Sequence, residues 1–156
     1  MTPILEGLYL GAQEDARDLH LLRQQRITHV LNCAVEVPNF HPRVFTYHRM
    51  DIRDPDPTFY RHLGTTRLFI DAGRAAGGVL VHCFAGISRS PATILGYLVY
   101  SERWTLEQAA RHLASKAWTA PDTVFLAQLA ESLGEPLDAA KLDRLAMILL
   151  GRAPGG

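Results

Sequence analysis

The sequence is poor in cysteine and lysine and has no excess of charge of either sign. Cys33 and Cys83 are its only cysteines, too few for the disulfide framework of a small secreted domain. Its 16 basic and 16 acidic residues cancel, and Lys116 and Lys141 are the only lysines. Proteins that bind nucleic acid or anionic membranes usually carry a basic excess. We therefore expect an intracellular, cytoplasmic protein, with the nucleus left open, that binds neither nucleic acid nor membrane.

Long hydrophobic runs are also missing. The apolar run near the C-terminus, residues 145–150, is far below the roughly 18 residues that a membrane helix needs. Residues 1–7 lack the basic segment and apolar core of a signal peptide, so we expect none. At roughly 100–200 residues per domain, the 156 residues predict a single domain. A chain of this length buries enough surface to fold without a disulfide or a structural metal.

Segments typical of strands and helices alternate along the chain. Short apolar and β-branched runs predict strands, and apolar residues at helical spacing predict helices. This alternation predicts an α/β fold with a central, mostly parallel β-sheet flanked by helices. The predicted strands are residues 4–10 (a pair around Gly7), 27–34, 45–50 and 79–82; the predicted helices are residues 14–25, 59–76, 89–102, 105–116, 122–133 and 138–150.

Residues 81–91, Val-His-Cys-Phe-Ala-Gly-Ile-Ser-Arg-Ser-Pro, form the segment with the clearest chemistry. They join a predicted buried strand to a predicted helix, and such a turn directs backbone N–H groups and the positive helix end toward one point. Gly86 lets the backbone approach an anion closely, and Arg89 can bind two anionic oxygens in a fork. The phosphate-binding groups predicted here are the Arg89 side chain and the backbone of Phe84, Ala85, Gly86, Ile87, Ser88 and Arg89.

Cys83 lies at the base of this predicted cradle. A positive field favours the thiolate, which is the nucleophilic form of cysteine. The combination predicts attack on phosphorus and a cysteinyl-phosphate intermediate that water hydrolyses. A cysteine that is merely buried at a strand–loop–helix joint is the alternative, and the spacing of Gly86, Ser88, Arg89 and Ser90 argues against it.

The neighbours of these residues have supporting roles in this interpretation. His82 is expected to hydrogen-bond the backbone near the cysteine, and Ser88 to brace the loop. The Ser90 hydroxyl is expected to donate to the departing thiolate or to cap the following helix. His41, His48 and His62 do not have metal-ligand spacing, so we expect neither a metal nor a cofactor.

Residues 82–90 resemble the signature of the dual-specificity protein phosphatases, within the cysteine-dependent protein tyrosine phosphatase superfamily. The resemblance covers about residues 4–133 and implies the protein tyrosine phosphatase-like fold. It also implies a small, stand-alone catalytic domain of the atypical group, with a C-terminal helix at about 138–150. Similar segments follow in the family's order at residues 8–11, 29–34, 47–54, 69–70, 77–78 and 125–129.

The resemblance also implies a general acid on a neighbouring loop. Counting from the family's aromatic position, here Tyr47, the match is Asp54, with Asp51 and then Asp56 as the alternatives. Protonation by such an acid lets a poor leaving oxygen depart. Asp122 stands where asparagine is common in this family, and nothing in the sequence explains the change.

The implied function is hydrolysis of phosphotyrosine and phosphoserine/threonine in a phosphorylated protein substrate. Two alternatives stay open: the same chemistry on a phosphoinositide, an RNA end or a phosphoglycan, and a pseudophosphatase that only binds phosphopeptides. Cys33 is either an inert buried cysteine or, as in some similar phosphatases, a redox partner of Cys83. The sequence carries no signal for an oligomeric state.

Overall fold

The computed structural model describes residues 1–151, and the end of the predicted domain, residues 152–156, lies outside this part. Five short strands form one sheet: β1 (Thr2–Leu5), β2 (Leu8–Gly11), β3 (His29–Asn32), β4 (Thr46–Arg49) and β5 (Val79–His82). Their spatial order is β1-β2-β5-β3-β4. The β1–β2 pair is antiparallel and the other pairs are parallel. The predicted strands and the mostly parallel α/β sheet are confirmed.

The described part of the chain contains seven helices: α1 (Gln13–Arg17), α2 (Leu19–Gln24), α3 (Leu63–Ala76), α4 (Arg89–Ser101), α5 (Leu106–Lys116), α6 (Thr123–Ser132) and α7 (Ala139–Leu149). The single helix predicted for residues 14–25 is wrong. Asp18 has extended backbone angles and its side chain accepts a hydrogen bond from the Leu21 N–H, so it ends α1 and caps α2. The helix predicted for residues 59–76 begins with a 3-10 turn, Phe59–His62, before α3.

Alternate residues of the central strands face two separate cores. Val30 and Leu80 pack with Ala16 and Leu22 of the short helices α1 and α2. Side chains of the opposite face, including Leu31 and Val81, join the larger core formed with α3 to α7. Burial on both faces explains why β5 has no exposed position, and why its sequence is a continuous apolar run rather than an alternating one.

The parallel pairing brings several loops to one edge of the sheet. Strand β5 lies between β2 and β3, with Gly11 and Asn32 both in register with His82. The carboxyl ends of β2, β3, β4 and β5 therefore point the same way. In open α/β sheets this edge is where ligands bind, and here it brings the segments that follow the four strands into contact.

We predict that the close contact between α3 and the sheet makes Gly73 sensitive to substitution. A Cβ atom at Gly73 would lie 2.7 Å from Val79 Cβ and 2.9 Å from His29 Cβ, so Gly73→Ala should lower the free energy of unfolding by about 1–3 kcal/mol. Urea denaturation would measure the change. Gly64, in the same helix, has no atom within 4 Å of a built Cβ, so Gly64→Ala should raise stability by about 0.5–1 kcal/mol. Equal effects of the two variants would contradict this packing argument.

Candidate active site

Residues 83–88 form a loop, and two of its carbonyl groups accept hydrogen bonds from residues outside the loop. The Phe84 carbonyl accepts from the Gln13 N–H at 3.0 Å, and the Ile87 carbonyl accepts from the Ala120 N–H at 2.9 Å. In a trans peptide the N–H points opposite to the C=O, so the amide groups that follow these carbonyls face the inside of the loop. The N–H groups of Ala85 and Ser88 therefore face the inside of the loop, and the anion cradle of residues 84–89 stays a prediction.

Gly86 has a structural reason to be glycine. Its φ is +71°, and a Cβ atom there would lie 3.0 Å from the Gly11 carbonyl oxygen at the end of β2. Both the backbone conformation and the lack of space exclude most side chains. The Gly86 N–H lies 3.3 Å from Cys83 Sγ and donates to it.

Cys83 is 2% exposed and lies at the base of this loop. The Ser90 hydroxyl lies 3.2 Å from its Sγ, and His82 Nδ1 lies 3.2 Å from the Cys83 carbonyl oxygen, so both expected contacts are present. Burial lowers the pKa of His82 to about 4. The imidazole is therefore neutral near pH 7, and its Nδ1–H donates to the Cys83 carbonyl.

The Arg89 guanidinium is almost fully buried, with 6% of the residue exposed. Its Nη1 and Nη2 donate to the two carboxylate oxygens of Glu36 at 2.5 and 2.6 Å, and Nη1 also donates to the Ile52 carbonyl at 3.2 Å. This ion pair raises the pKa of Arg89 and lowers that of Glu36. Nε of Arg89 is buried without a hydrogen-bond partner among the described residues, and a bound anionic oxygen is one group that would satisfy it.

Asp54 contacts residues 83–88, which we call the catalytic loop, through Ser88. The Ser88 hydroxyl donates to Asp54 Oδ1 at 2.8 Å and accepts from the Asp122 N–H at 2.9 Å. Asp54, Cys83, Arg89 and Asp122 all line one cavity of about 320 Å³. The remaining lining residues are Phe84, Ala85, Ile87, Ser88 and Ala120.

The two alternative aspartates lie in other contacts. The Asp51 carboxylate accepts from Arg49 Nε at 2.9 Å. The Asp56 carboxylate accepts from the Thr58 hydroxyl at 2.7 Å, from the Thr58 N–H at 2.9 Å and from the Arg53 N–H at 3.2 Å. Neither residue lines the cavity that contains Cys83.

Sequence reasoning missed Glu36, which lies 53 residues before Arg89. Its signal was weak: a single carboxylate in the loop after a predicted buried strand. Because β3 and β5 are neighbouring parallel strands, this loop lies beside the one that follows β5. Only the strand order makes Glu36 a candidate, and the sequence does not provide that order.

Cys33 directly follows β3 and lies beside Cys83 when the register of β3 with β5 is extended by one residue. Its N–H donates to the His82 carbonyl at 2.8 Å, and its Sγ lies 3.6 Å from the Thr93 hydroxyl. Burial raises the pKa of the Cys33 thiol, which makes it a poor nucleophile. A redox pairing with Cys83 stays a prediction.

Residues 1–151 contain neither a metal-ligand cluster nor a helix that could span a membrane. No group of three or more His, Cys, Asp or Glu side chains in this range could hold a metal ion. No helix in the same range has the length and apolar character needed to cross a membrane.

Comparison with known proteins identifies the family and the fold. The family model for the dual specificity phosphatase catalytic domain matches residues 8–133. The chain belongs to the dual-specificity phosphatase family. The match covers most of the chain, so the resemblance to this family is confirmed.

Among the relatives of this dual-specificity phosphatase domain is human protein phosphatase Slingshot homolog 3. The two are 43% identical over 129 residues, which cover 81% of this chain and 20% of that protein. The chain therefore spans about a fifth of that relative's length. The structure of human DUSP28 is similar with a TM-score of 0.79 at 26% identity, covering 86% of this chain and 98% of that one. The structure of DUSP15 has a TM-score of 0.75 at 30% identity and covers 98% and 96%.

We predict that Glu36 holds Arg89 in the orientation that presents Nε to phosphate. Glu36→Ala should lower kcat/KM by roughly 10–100-fold, because even a small misplacement of a binding group is costly at a reacting centre. The loss should be accompanied by weaker inhibition by inorganic phosphate. Steady-state kinetics on an aryl phosphate would measure both effects.

Glu107→Ala is the matched control for this experiment. Glu107 accepts from Arg144 Nε at 2.8 Å on the surface, and an exposed ion pair of this kind is worth little, so kcat/KM should not change. Tighter phosphate binding by Glu36→Ala would contradict the prediction, because it would mean that Glu36 competes with the substrate for Arg89.

Proposed function

We propose that this domain hydrolyses phosphotyrosine and phosphoserine/threonine in proteins through a cysteinyl-phosphate intermediate on Cys83. One observation supports this most directly: Cys83, Arg89 and Asp54 line one cavity, beside a loop with inward-facing N–H groups. Oriented donors and a cation stabilise the charge that develops on a transferring phosphoryl group. In this proposal the Cys83 thiolate is the nucleophile, and the surrounding donors bind the phosphoryl group that it attacks.

In the first step, the Cys83 thiolate attacks phosphorus and the bond between phosphorus and the substrate oxygen breaks. Asp54, in its carboxylic acid form, gives its proton to the leaving oxygen, so that a phenol or an alcohol departs. Arg89 and the backbone amides of residues 84–89 bind the three non-bridging oxygens. The Ser88 hydroxyl, 2.8 Å from Asp54 Oδ1, orients the carboxyl group toward the cavity.

In the second step, the Asp54 carboxylate takes a proton from water, which attacks the phosphocysteine. The sulfur–phosphorus bond breaks, inorganic phosphate forms and the thiolate is restored. The Ser90 hydroxyl, 3.2 Å from Cys83 Sγ, donates to the departing sulfur and so stabilises the leaving thiolate. The assignment of Asp54 rather than Asp51 or Asp56 is supported by its position on the cavity.

The buried thiols support an intracellular location. Cys33 and Cys83 are free and buried, and intracellular compartments keep thiols reduced. We infer that the domain works in the cytoplasm. We also infer that residues 1–156 act as a single catalytic domain, since α3 to α7 share one hydrophobic core.

The proposed function is tested by phosphate release from one substrate panel. The panel contains phosphotyrosine, phosphothreonine and phosphoserine peptides, phosphoinositides and triphosphate-ended RNA. We expect release from the peptides and none with Cys83→Ser, which lacks the nucleophilic thiolate. Preference for a lipid or RNA would overturn the protein-phosphatase assignment. Peptide binding without any turnover would instead indicate a binding module.

A second experiment tests the general acid. Asp54→Asn should lower kcat by about 10²–10⁴-fold on phosphotyrosine peptide, because general acid–base catalysis contributes about this much. The loss should be smaller on an aryl phosphate whose phenolate leaves without protonation. Asp51→Asn and Asp56→Asn should each retain most activity. A larger loss in either of them than in Asp54→Asn would move the role to that residue.

A further inference from the structure

Asp122 places a second carboxylate in the cavity that contains the reacting groups. The only cation lining that cavity, over the described residues, is Arg89, whereas Asp54 and Asp122 both contribute acids to it. Arg89 is itself paired with Glu36. A second carboxylate does not help to bind a phosphate dianion, so its presence calls for another explanation.

The position of Asp122 is fixed by the catalytic loop. Its N–H donates to Ser88 Oγ at 2.9 Å, and two residues earlier the Ala120 N–H donates to the Ile87 carbonyl at 2.9 Å. Oδ1 of Asp122 accepts from the Val124 N–H at 2.9 Å and caps α6. The carboxylate is therefore held at a defined place beside the phosphate site.

Helix capping does not require the charge, although a negative charge at this end of α6 also interacts favourably with the helix dipole. Asparagine caps a helix as well as aspartate does, so an uncharged residue would preserve α6. No Lys, Arg or His nitrogen in residues 1–151 lies within 4.0 Å of the Asp122 carboxylate. The charge of Asp122 is thus free to interact with a bound substrate.

We propose that Asp122 is a specificity-determining residue that selects phosphopeptides with an arginine or lysine next to the phosphorylated residue. This inference rests on the proposed function. A substrate arginine or lysine would pair with the Asp122 carboxylate. An acidic residue at the same place in the substrate would be repelled, so Asp122 favours basic substrates and disfavours acidic ones. The exposed side chains of Phe84 and Ile87, which line the same cavity, provide an apolar surface for the rest of the peptide.

The test uses phosphotyrosine peptides that differ only at the two residues flanking the phosphotyrosine, which are arginine, alanine or glutamate. The wild-type domain should prefer the arginine peptide over the glutamate peptide in kcat/KM by about tenfold, equivalent to about 1.4 kcal/mol. Asp122→Asn should reduce this ratio by about three- to tenfold, on the order of one removed charge pair at a partly exposed site. High salt should reduce the wild-type ratio, because salt screens exposed charges.

Asp138→Asn is the matched control. Asp138 caps α7 and accepts from the Lys141 N–H at 2.8 Å, but it does not line the cavity with Cys83. The control variant should keep the wild-type ratio. Asp122→Ser, another neutral capping residue, should behave like Asp122→Asn and replaces it if that variant does not fold.

The outcomes separate this inference from the proposed function. If no peptide is hydrolysed, the proposed function fails. If the peptides are hydrolysed and neutral variants of Asp122 keep the wild-type ratio, the specificity role is overturned. An equal loss on all three peptides also overturns it, because that result indicates a structural role. Inhibition by inorganic phosphate is an independent readout, and it should strengthen about two- to threefold in Asp122→Asn because one repulsive charge is removed.

Discussion

Arg89 is 6% exposed and carries a full positive charge, so its guanidinium must be matched by acceptors from the protein. Those acceptors come from two loops: Glu36 follows β3, and Ile52 follows β4. The arginine itself begins α4, directly after the catalytic loop. Three segments separated in sequence are thus held together by one buried cation. Removing any acceptor would leave charge uncompensated in the interior, and it would also release the group that orients the phosphate.

The second connection through the site is made by Ser88. Its hydroxyl donates to Asp54 and accepts from the Asp122 backbone, so it joins the acid loop to the start of α6. Hydroxyl groups can donate and accept at the same time, which explains why a serine suits this position between two partners. The catalytic loop, residues 83–88, therefore also positions two residues of the cavity lining, Asp54 and Asp122.

The parts of the site that could be predicted from the sequence are those encoded locally. The run from His82 to Ser90 contains the strand end, the glycine turn, the nucleophile and the arginine within nine residues, so its geometry follows from neighbours in the chain. The contact between Asp54 and Ser88 spans 34 residues and that between Glu36 and Arg89 spans 53. Such contacts depend on strand order, which hydrophobic patterns do not encode. The break at Asp18 was missed because the residues around it have helical spacing and its capping bond competes only locally.

The chemistry and the selectivity of this site are carried by different kinds of groups. In the proposed mechanism, backbone amides, the Cys83 thiolate and Arg89 recognise the phosphoryl group, which is the same in every phosphomonoester. They cannot distinguish one substrate from another. Discrimination must come from side chains that the phosphate does not touch, and at this cavity Phe84, Ile87 and Asp122 are three of them. Because Asp122 is fixed to Ser88 by its backbone, its side chain can change to another helix-capping residue without moving the loop. Substitutions at Phe84, Ile87 and Asp122 can therefore change the substrate preference while the groups that contact the phosphate stay in place.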